Sequence, residues 1–328
     1  MNFTKITRNQ YKELLDKVKF KTFFHEPEWH EFLEKQFKWL KYEYYKYNNE
    51  AILSLARLKV FGKDKLISLP FCEYGGPLGE NINLEEFKKD VFNEFNENTK
   101  GEFDSLKIKI HPAINVGGET SDTSTHWIEG LKNKSEQEIW DSFRKTLKHE
   151  IKRAQDQGLV IRKCKSPKEL KRFYNLYVAN LKRKKTIPYP WRVVQFLCQN
   201  PSNELLLAFY RDKIIGGSLF VEYCGFVHYF LSASDYKHRN MRVNYLILWD
   251  KIKSLIGRDV IFDFGATPKD SPLYTFKSGW GGKEYPIIVL ENEKSPEKLR
   301  SSKLRNLFAL LPNFLVQKVS SMLIKYRL

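Results

Sequence analysis

The run ELLLAFYRDKIIGGSLFVEYCGFVHYFLSA, residues 204–233, decides the fold. Its apolar and β-branched stretches at 204–210, 214–223 and 226–233 are separated by Asp212-Lys213 and Cys224-Gly225, two short turn-forming pairs. That pattern predicts a three-stranded antiparallel meander. Downstream, residues 243–256 read as a helix and VIFDFG at 260–265 as a short buried strand, with a last strand over 284–290. Upstream lie a strand at 159–163, a helix at 167–181, and the break Pro188-Tyr189-Pro190 into a short helix ending near Leu197.

The first half of the chain has the same grammar. A helix over 22–38 precedes strand runs at 39–47, 51–61 and 66–71, joined by Asn48-Asn49-Glu50 and Gly62-Lys63-Asp64. A glycine turn at 75–77, a helix at 84–95, a strand at 105–110, a loop around Gly117-Gly118 and an edge strand near Trp127 follow. The repetition predicts an α/β chain with mixed sheets, built from two related units over 1–133 and 134–292 and closed by a helical segment over 293–328.

The net charge of +17 on 328 residues is concentrated, because residues 144–192 hold sixteen Lys/Arg against three Asp/Glu. Such a block predicts an anionic partner: nucleic acid, a nucleotide phosphate or an anionic membrane surface. Much of it lies on one helix. Ser135-x-x-Glu138 is a capping box, and Ile139, Phe143, Leu147 and Ile151 recur every four residues up to Gly158, leaving Arg144, Lys148 and Lys152 in a line on another face beside Lys145 and Arg153. The four scattered cysteines form no CxxC pair, and the first residues contain no apolar leader core, which predicts a reduced cytoplasmic protein without structural zinc. No apolar run reaches the roughly 20 residues that span a bilayer. His25 and His30 are five residues apart, the wrong spacing for one helix face, and metal catalysis is not expected.

The chemistry concentrates in FKSGWGG, residues 276–282. A lysine among apolar rings and glycines can present its charge to a phosphate or a developing oxyanion, so Lys277 is a catalytic candidate, with Trp280 beside it as a substrate contact. Tyr229 on its strand can donate a hydrogen bond or relay a proton, and Asp263 at a strand end can orient an amine. Equally, these residues fit a solvated turn lysine, a core tyrosine and a turn aspartate.

Several stretches together resemble the FemAB-like branch of the GNAT acyltransferase superfamily, which includes peptidoglycan interpeptide-bridge aminoacyltransferases and BioF2-like acyltransferases. They are FHEPEW (24–29), PFCEYGGP (70–77), LKHEIKRA (147–154), GGSL (216–219), DFG (263–265) and FKSGWG (276–281). The resemblance implies tandem GNAT-like domains. It also implies transfer of an aminoacyl or acyl group, from aminoacyl-tRNA or acyl-coenzyme A as co-substrate with no resident cofactor, onto an amine of a cell-envelope precursor. Lys277 matches a family lysine that contacts the phosphate-bearing part of the substrate, Arg183 falls where relatives place a substrate-binding arginine, and Tyr229 where they place a site tyrosine. One departure stands out. The stretch YKHRNMRVN (236–244), where a GNAT domain carries its glycine-rich pyrophosphate turn, has no glycine, leaving Lys237, Arg239 and Arg242 as the groups available to an anion.

Two further readings follow from the same residues. One is an acyl-coenzyme A-dependent N-acyltransferase acting on an amino sugar or polysaccharide precursor. The other is a non-catalytic binder of RNA or anionic lipid through residues 144–192. Residues 303–327 read as two short amphipathic helices broken at Pro312, with basic residues interspersed. Their composition suits either peripheral contact with the inner face of a membrane, near a lipid-linked precursor, or packing back on the first domain.

Overall fold

The computed structural model describes residues 2–48, 51–60, 62–80, 82–98, 103–114, 121–292 and 310–327. The loop expected around Gly117-Gly118 and the first of the two C-terminal helices lie outside these residues, as do Lys303, Leu304 and Arg305.

The first half runs β1 (Phe3–Ile6), α1 (Arg8–Leu15), α2 (Pro27–Gln36), β2 (Leu40–Tyr47), β3 (Ala51–Val60), β4 (Lys63–Ser68), β5 (Leu78–Gly79), α3 (Leu84–Phe92), β6 (Ser105–Lys109) and β7 (Thr123–Ile128). After α4 (Glu136–Ser142) and α5 (Lys145–Gln155), the second half runs β8 (Val160–Lys163), α6 (Pro167–Arg183), α7 (Trp191–Gln199), β9 (Glu204–Tyr210), β10 (Lys213–Tyr223), β11 (Phe226–Ser234), α8 (Val243–Leu255) and β12 (Ile261–Asp263). It ends with β13 (Thr267–Pro268), α9 (Pro272–Ser278), β14 (Lys283–Pro286) and β15 (Val289–Glu291), and α10 (Asn313–Leu323) closes the chain.

Both expected meanders are present, β2-β3-β4 and β9-β10-β11, each antiparallel throughout. After each, a helix crosses over and the next strand adds in parallel: β6 beside β4, and β12 beside β11. The sheet orders are β1-β2-β3-β4-β6-β15 and β13-β7-β12-β11-β10-β9-β8. The two halves therefore repeat a unit of strand, two helices, three-stranded meander, helix and parallel strand.

Sheet membership departs from sequence order at two strands, and the departures are reciprocal. β7 follows the first half but pairs antiparallel with β12, and β15 follows the second half but pairs antiparallel with β6. Each half thus supplies the strand that extends the other's sheet. The expected edge strand near Trp127 is instead flanked by β12 and β13 along one side and by β14 along the other. The single strand expected over 284–290 is two, β14 in the second sheet and β15 in the first.

One apolar core crosses from half to half, joining Phe24, Trp29 and Phe71 to Phe173, Val193, Leu219 and Leu231, so the halves bury a shared face. Separate clusters fill the far side of each sheet. Close packing on both faces of β10 accounts for Gly216-Gly217: a Cβ at the first would press on Val243 of α8, and at the second on Phe173 of α6.

The helix predicted from Ser135 to Gly158 is two helices. Ser135 does cap the first through the expected box with Glu138. At Phe143 the backbone turns extended, because the next N–H, that of Arg144, bonds to the Gly279 carbonyl at 2.9 Å instead of continuing the helical ladder. The helix expected over 22–38 likewise shortens to Pro27–Gln36, with Pro27 at its first position. In the C-terminal segment, α10 packs back on α6: Val316 and Ile324 are buried in the shared core, Gln317 bonds Asn175, and Arg327 donates to the Ile187 carbonyl at 2.9 Å while lying over the Tyr189 ring.

Candidate active site

The site starts at the end of β12. Asp263 is the last residue of that strand and fully buried, and its carboxylate collects partners from both halves. Tyr74 of the first half donates its hydroxyl to Oδ2, Thr125 of β7 donates to Oδ1 at 2.5 Å, and the Gly265 N–H donates to Oδ1 at 2.8 Å. His228 on β11 places Nδ1 2.6 Å from Oδ2. Burial alone would raise this carboxyl, but the facing His228 and the Thr125 and Tyr74 hydroxyls hold it below the usual carboxylate range. Burial opposes charge on His228 as well, and the Asp263 carboxylate overcomes it and raises the imidazole pKa. The pair is a buried ion pair tied to the first half through Tyr74.

Past Asp263 the chain turns through Gly265 at φ +74°, a left-handed conformation that suits glycine. A side chain there would also collide with the carboxylate of Glu73, which accepts from the Ala266 N–H and so fastens the first half to this turn. The carbonyls of the turn then receive Lys277. Its Nζ donates to the Gly265 carbonyl at 2.9 Å and to the Ala266 carbonyl at 3.4 Å. Lys277 is on the last turn of α9, whose start is fixed by the Ser271 cap and Pro272. Only 4 % of the residue is exposed. Burial lowers the ammonium pKa, and the nearby Glu73 and Asp263 carboxylates partly restore it.

Lys277 and Glu73 border a cavity of about 410 Å³ that Arg183, Tyr229, Asn244 and Phe276 also line. Two of its acid–base groups, one from each half, therefore meet across an interface, a common place for a ligand site. Three sequence candidates, Lys277, Tyr229 and Arg183, are thus brought to one cavity. Asp263 lies behind it as the organiser of the turn. Trp280 is 0 % exposed and packs edge-on against Phe143 and Phe276, so its ring is core and does not reach the cavity as a substrate contact would.

The basic stretch before α8 divides. Arg183 and Arg239 both stack on the exposed Tyr236 ring, 4.3 and 4.6 Å from its centroid, making a cationic rim. Arg242 is engaged by Glu150 of α5, and Lys237 is exposed away from the cavity lining. With no glycine in this turn and Arg242 paired, the segment offers a coenzyme A pyrophosphate only Lys237 and Arg239. Among the described residues, no group of three His, Cys, Asp or Glu side chains is placed to hold a metal ion. His25 and His30 are buried in the first half, bonded to the Gly75 and Phe24 carbonyls.

Two repeated mixed sheets, each with a meander, a crossover helix and a parallel strand, define a tandem acyltransferase fold of the GNAT type. The sequence agrees: the model of the acetyltransferase (GNAT) domain matches residues 141–278, and that of the FemAB family matches residues 80–187. Each match covers less than half of the chain, which is similar to both families and is an acyl- or aminoacyltransferase. Among solved structures it is similar to FemX, at 15 % identity and a TM-score of 0.61, covering 89 % of this chain and 96 % of that one. It is similar also to the C-terminal domain of a putative lysylphosphatidylglycerol synthetase from Agrobacterium fabrum (12 % identity, TM-score 0.55, 92 % and 96 % covered). A tandem GNAT protein from the clavulanic acid biosynthesis pathway shares the fold at 9 % identity and a TM-score of 0.50, with 90 % and 98 % covered. No curated protein matches the sequence.

Glu73, Tyr74, Thr125 and His228 are the site residues that sequence reasoning did not assign. Glu73 and Tyr74 fall inside the PFCEYGGP stretch, where a paired acidic and phenolic residue beside two glycines was the available signal.

Proposed function

We propose that this transferase moves an aminoacyl group from aminoacyl-tRNA onto an amine of a cell-envelope precursor of the peptidoglycan or polysaccharide type. The observation that carries the reading is the buried Lys277 ammonium, held by two backbone carbonyls, in a cavity shared with Glu73 of the other half. In such a transfer the neutral amine attacks the ester carbonyl, the carbonyl oxygen becomes an oxyanion, and collapse releases the donor alcohol with the proton lost by the amine. Lys277 stabilises that oxyanion or fixes a substrate phosphate. Tyr229, lining the same cavity, donates a hydrogen bond or relays the proton. The Arg183-Tyr236-Arg239 rim and the basic face of α5 receive the polyanionic donor.

The GNAT-domain match favours a second donor, acyl-coenzyme A, while the glycine-free turn before α8 weighs against it. A peripheral position at the inner face of a membrane belongs to the same proposal: no helix among the described residues is long and apolar enough to cross a bilayer, and α10 turns Met322 outward, 66 % exposed, on the side away from its packed face. The test is incubation of the purified chain with charged tRNAs, acyl-coenzyme A donors and envelope precursors, each donor separately, with mass spectrometry of the acceptors. An added aminoacyl mass that requires charged tRNA supports the proposal; an added acyl mass that requires coenzyme A thioester moves the assignment to the second donor.

A further inference from the structure

A larger cavity, of about 700 Å³, lies in the first half and shares no lining residue with the Lys277 cavity. Its walls are apolar, with Leu14, Val18, Ile52, Leu78, Ile82 and Ile114 from α1, the segment after it, β3, β5 and the loops beside them. Lys17, Lys19 and Lys46 stand around it together with one carboxylate, that of Glu80, and none of the three lysines forms an ion pair among the described residues. Lys46 is half-buried on β2, and Phe20, exposed for its size, completes the rim.

One polar group in the wall lacks a partner. His111 is 1 % exposed, and its Nδ1 accepts from the Ala113 N–H at 3.1 Å, which puts the ring proton on Nε2. That Nε2 has no hydrogen-bond acceptor among the described residues. A buried donor left unmet is costly, so such groups ordinarily answer to a ligand or a water.

We propose that this cavity is a second binding site, for an amphiphile whose carboxylate or phosphate head meets Lys17, Lys19 and Lys46, whose acyl chain occupies the apolar walls, and whose carbonyl accepts from His111 Nε2. The volume is within the range of cavities that enclose small ligands. Three lysines against the single carboxylate of Glu80, over a mainly apolar chamber, favour an anionic head with a hydrocarbon body, because burial of the chain and attraction of the head act together. The site is independent of the transfer chemistry proposed for the Lys277 cavity.

The probe is cis-parinaric acid, a fluorescent fatty acid, titrated into the full chain and then displaced by dodecanoate, dodecyl phosphate or neutral dodecanol. The expected result is a saturable rise in fluorescence at one probe per chain, reversed by the two anions and at least tenfold more weakly by dodecanol. The stronger anion identifies the head group. Lys17→Glu combined with Lys19→Glu, both exposed and therefore safe for folding, weakens binding at least tenfold, and Lys46→Glu does the same. Lys277→Met binds the probe as the unaltered chain does. Absence of saturation, equal displacement by dodecanol, unchanged affinity in both charge-reversed variants, or a matching loss in Lys277→Met would each overturn the proposal.

Discussion

Lys277 donates to the carbonyl of Gly265 at 2.9 Å, and the N–H of the same Gly265 donates to Asp263 at 2.8 Å. One glycine residue thus links the buried carboxylate to the buried ammonium. Its conformation is left-handed, and the Glu73 carboxylate occupies the space a side chain would need. Gly265→Ala is expected to destabilise the fold by more than about 1 kcal/mol and to lower transfer further than the loss of folded protein explains. Denaturant unfolding and turnover measured on one preparation check both parts.

Asp263 satisfies groups from three elements at once, the Tyr74 hydroxyl, the Thr125 hydroxyl and His228. Asp263→Ala leaves an uncompensated imidazolium and two buried hydroxyls, and is expected to cost about 3–5 kcal/mol of unfolding free energy. Calorimetric or denaturant unfolding reads it. A cost near zero would show that the pair does not hold the halves together.

The pH dependence of stability follows from the same pair. His228 has its pKa raised in the folded chain, so its contribution is fully present below the ordinary value of 6.5 and is lost as pH rises through the raised folded value. Asp263 has its pKa lowered, so its contribution is present above the ordinary value of 3.8 and is lost as pH falls through the folded value. Unfolding free energy from this pair is therefore greatest between those limits and declines above 6.5. His228→Gln flattens that upper decline, as unfolding measured across the range will show.

Transfer that uses a Lys277 ammonium must fail once the amine deprotonates. Burial lowers its pKa from the ordinary 10.5, so the alkaline limb of the rate profile falls below that value. A rate profile flat through that region would show that transfer does not depend on a Lys277 ammonium.

The halves, their meanders and crossover helices were legible because each rests on local signals: alternating apolar runs, turn pairs such as Asp212-Lys213, and the Ser135 capping box. The exchange of β7 and β15 was not, because the partner of Trp127 is fixed by Asp263 and Lys283, over a hundred residues away in sequence. The same distance hid Glu73, whose role depends on the Ala266 N–H, and the break at Phe143, which exists because Gly279 supplies a carbonyl to Arg144. Lys277 was picked out from its rings and glycines, yet it sits on a helix that Ser271 and Pro272 announce. Trp280 shared the signal and is core, since an aromatic beside glycines reads the same whether it faces a ligand or Phe143.

The most direct test is the rate of transfer by Lys277→Met beside its unfolding free energy. The account predicts a rate at least about 100-fold lower, the loss typical of an oxyanion donor, with the variant still folded and its stability lower by no more than about 3 kcal/mol. A folded variant that transfers at the rate of the unaltered chain would contradict it.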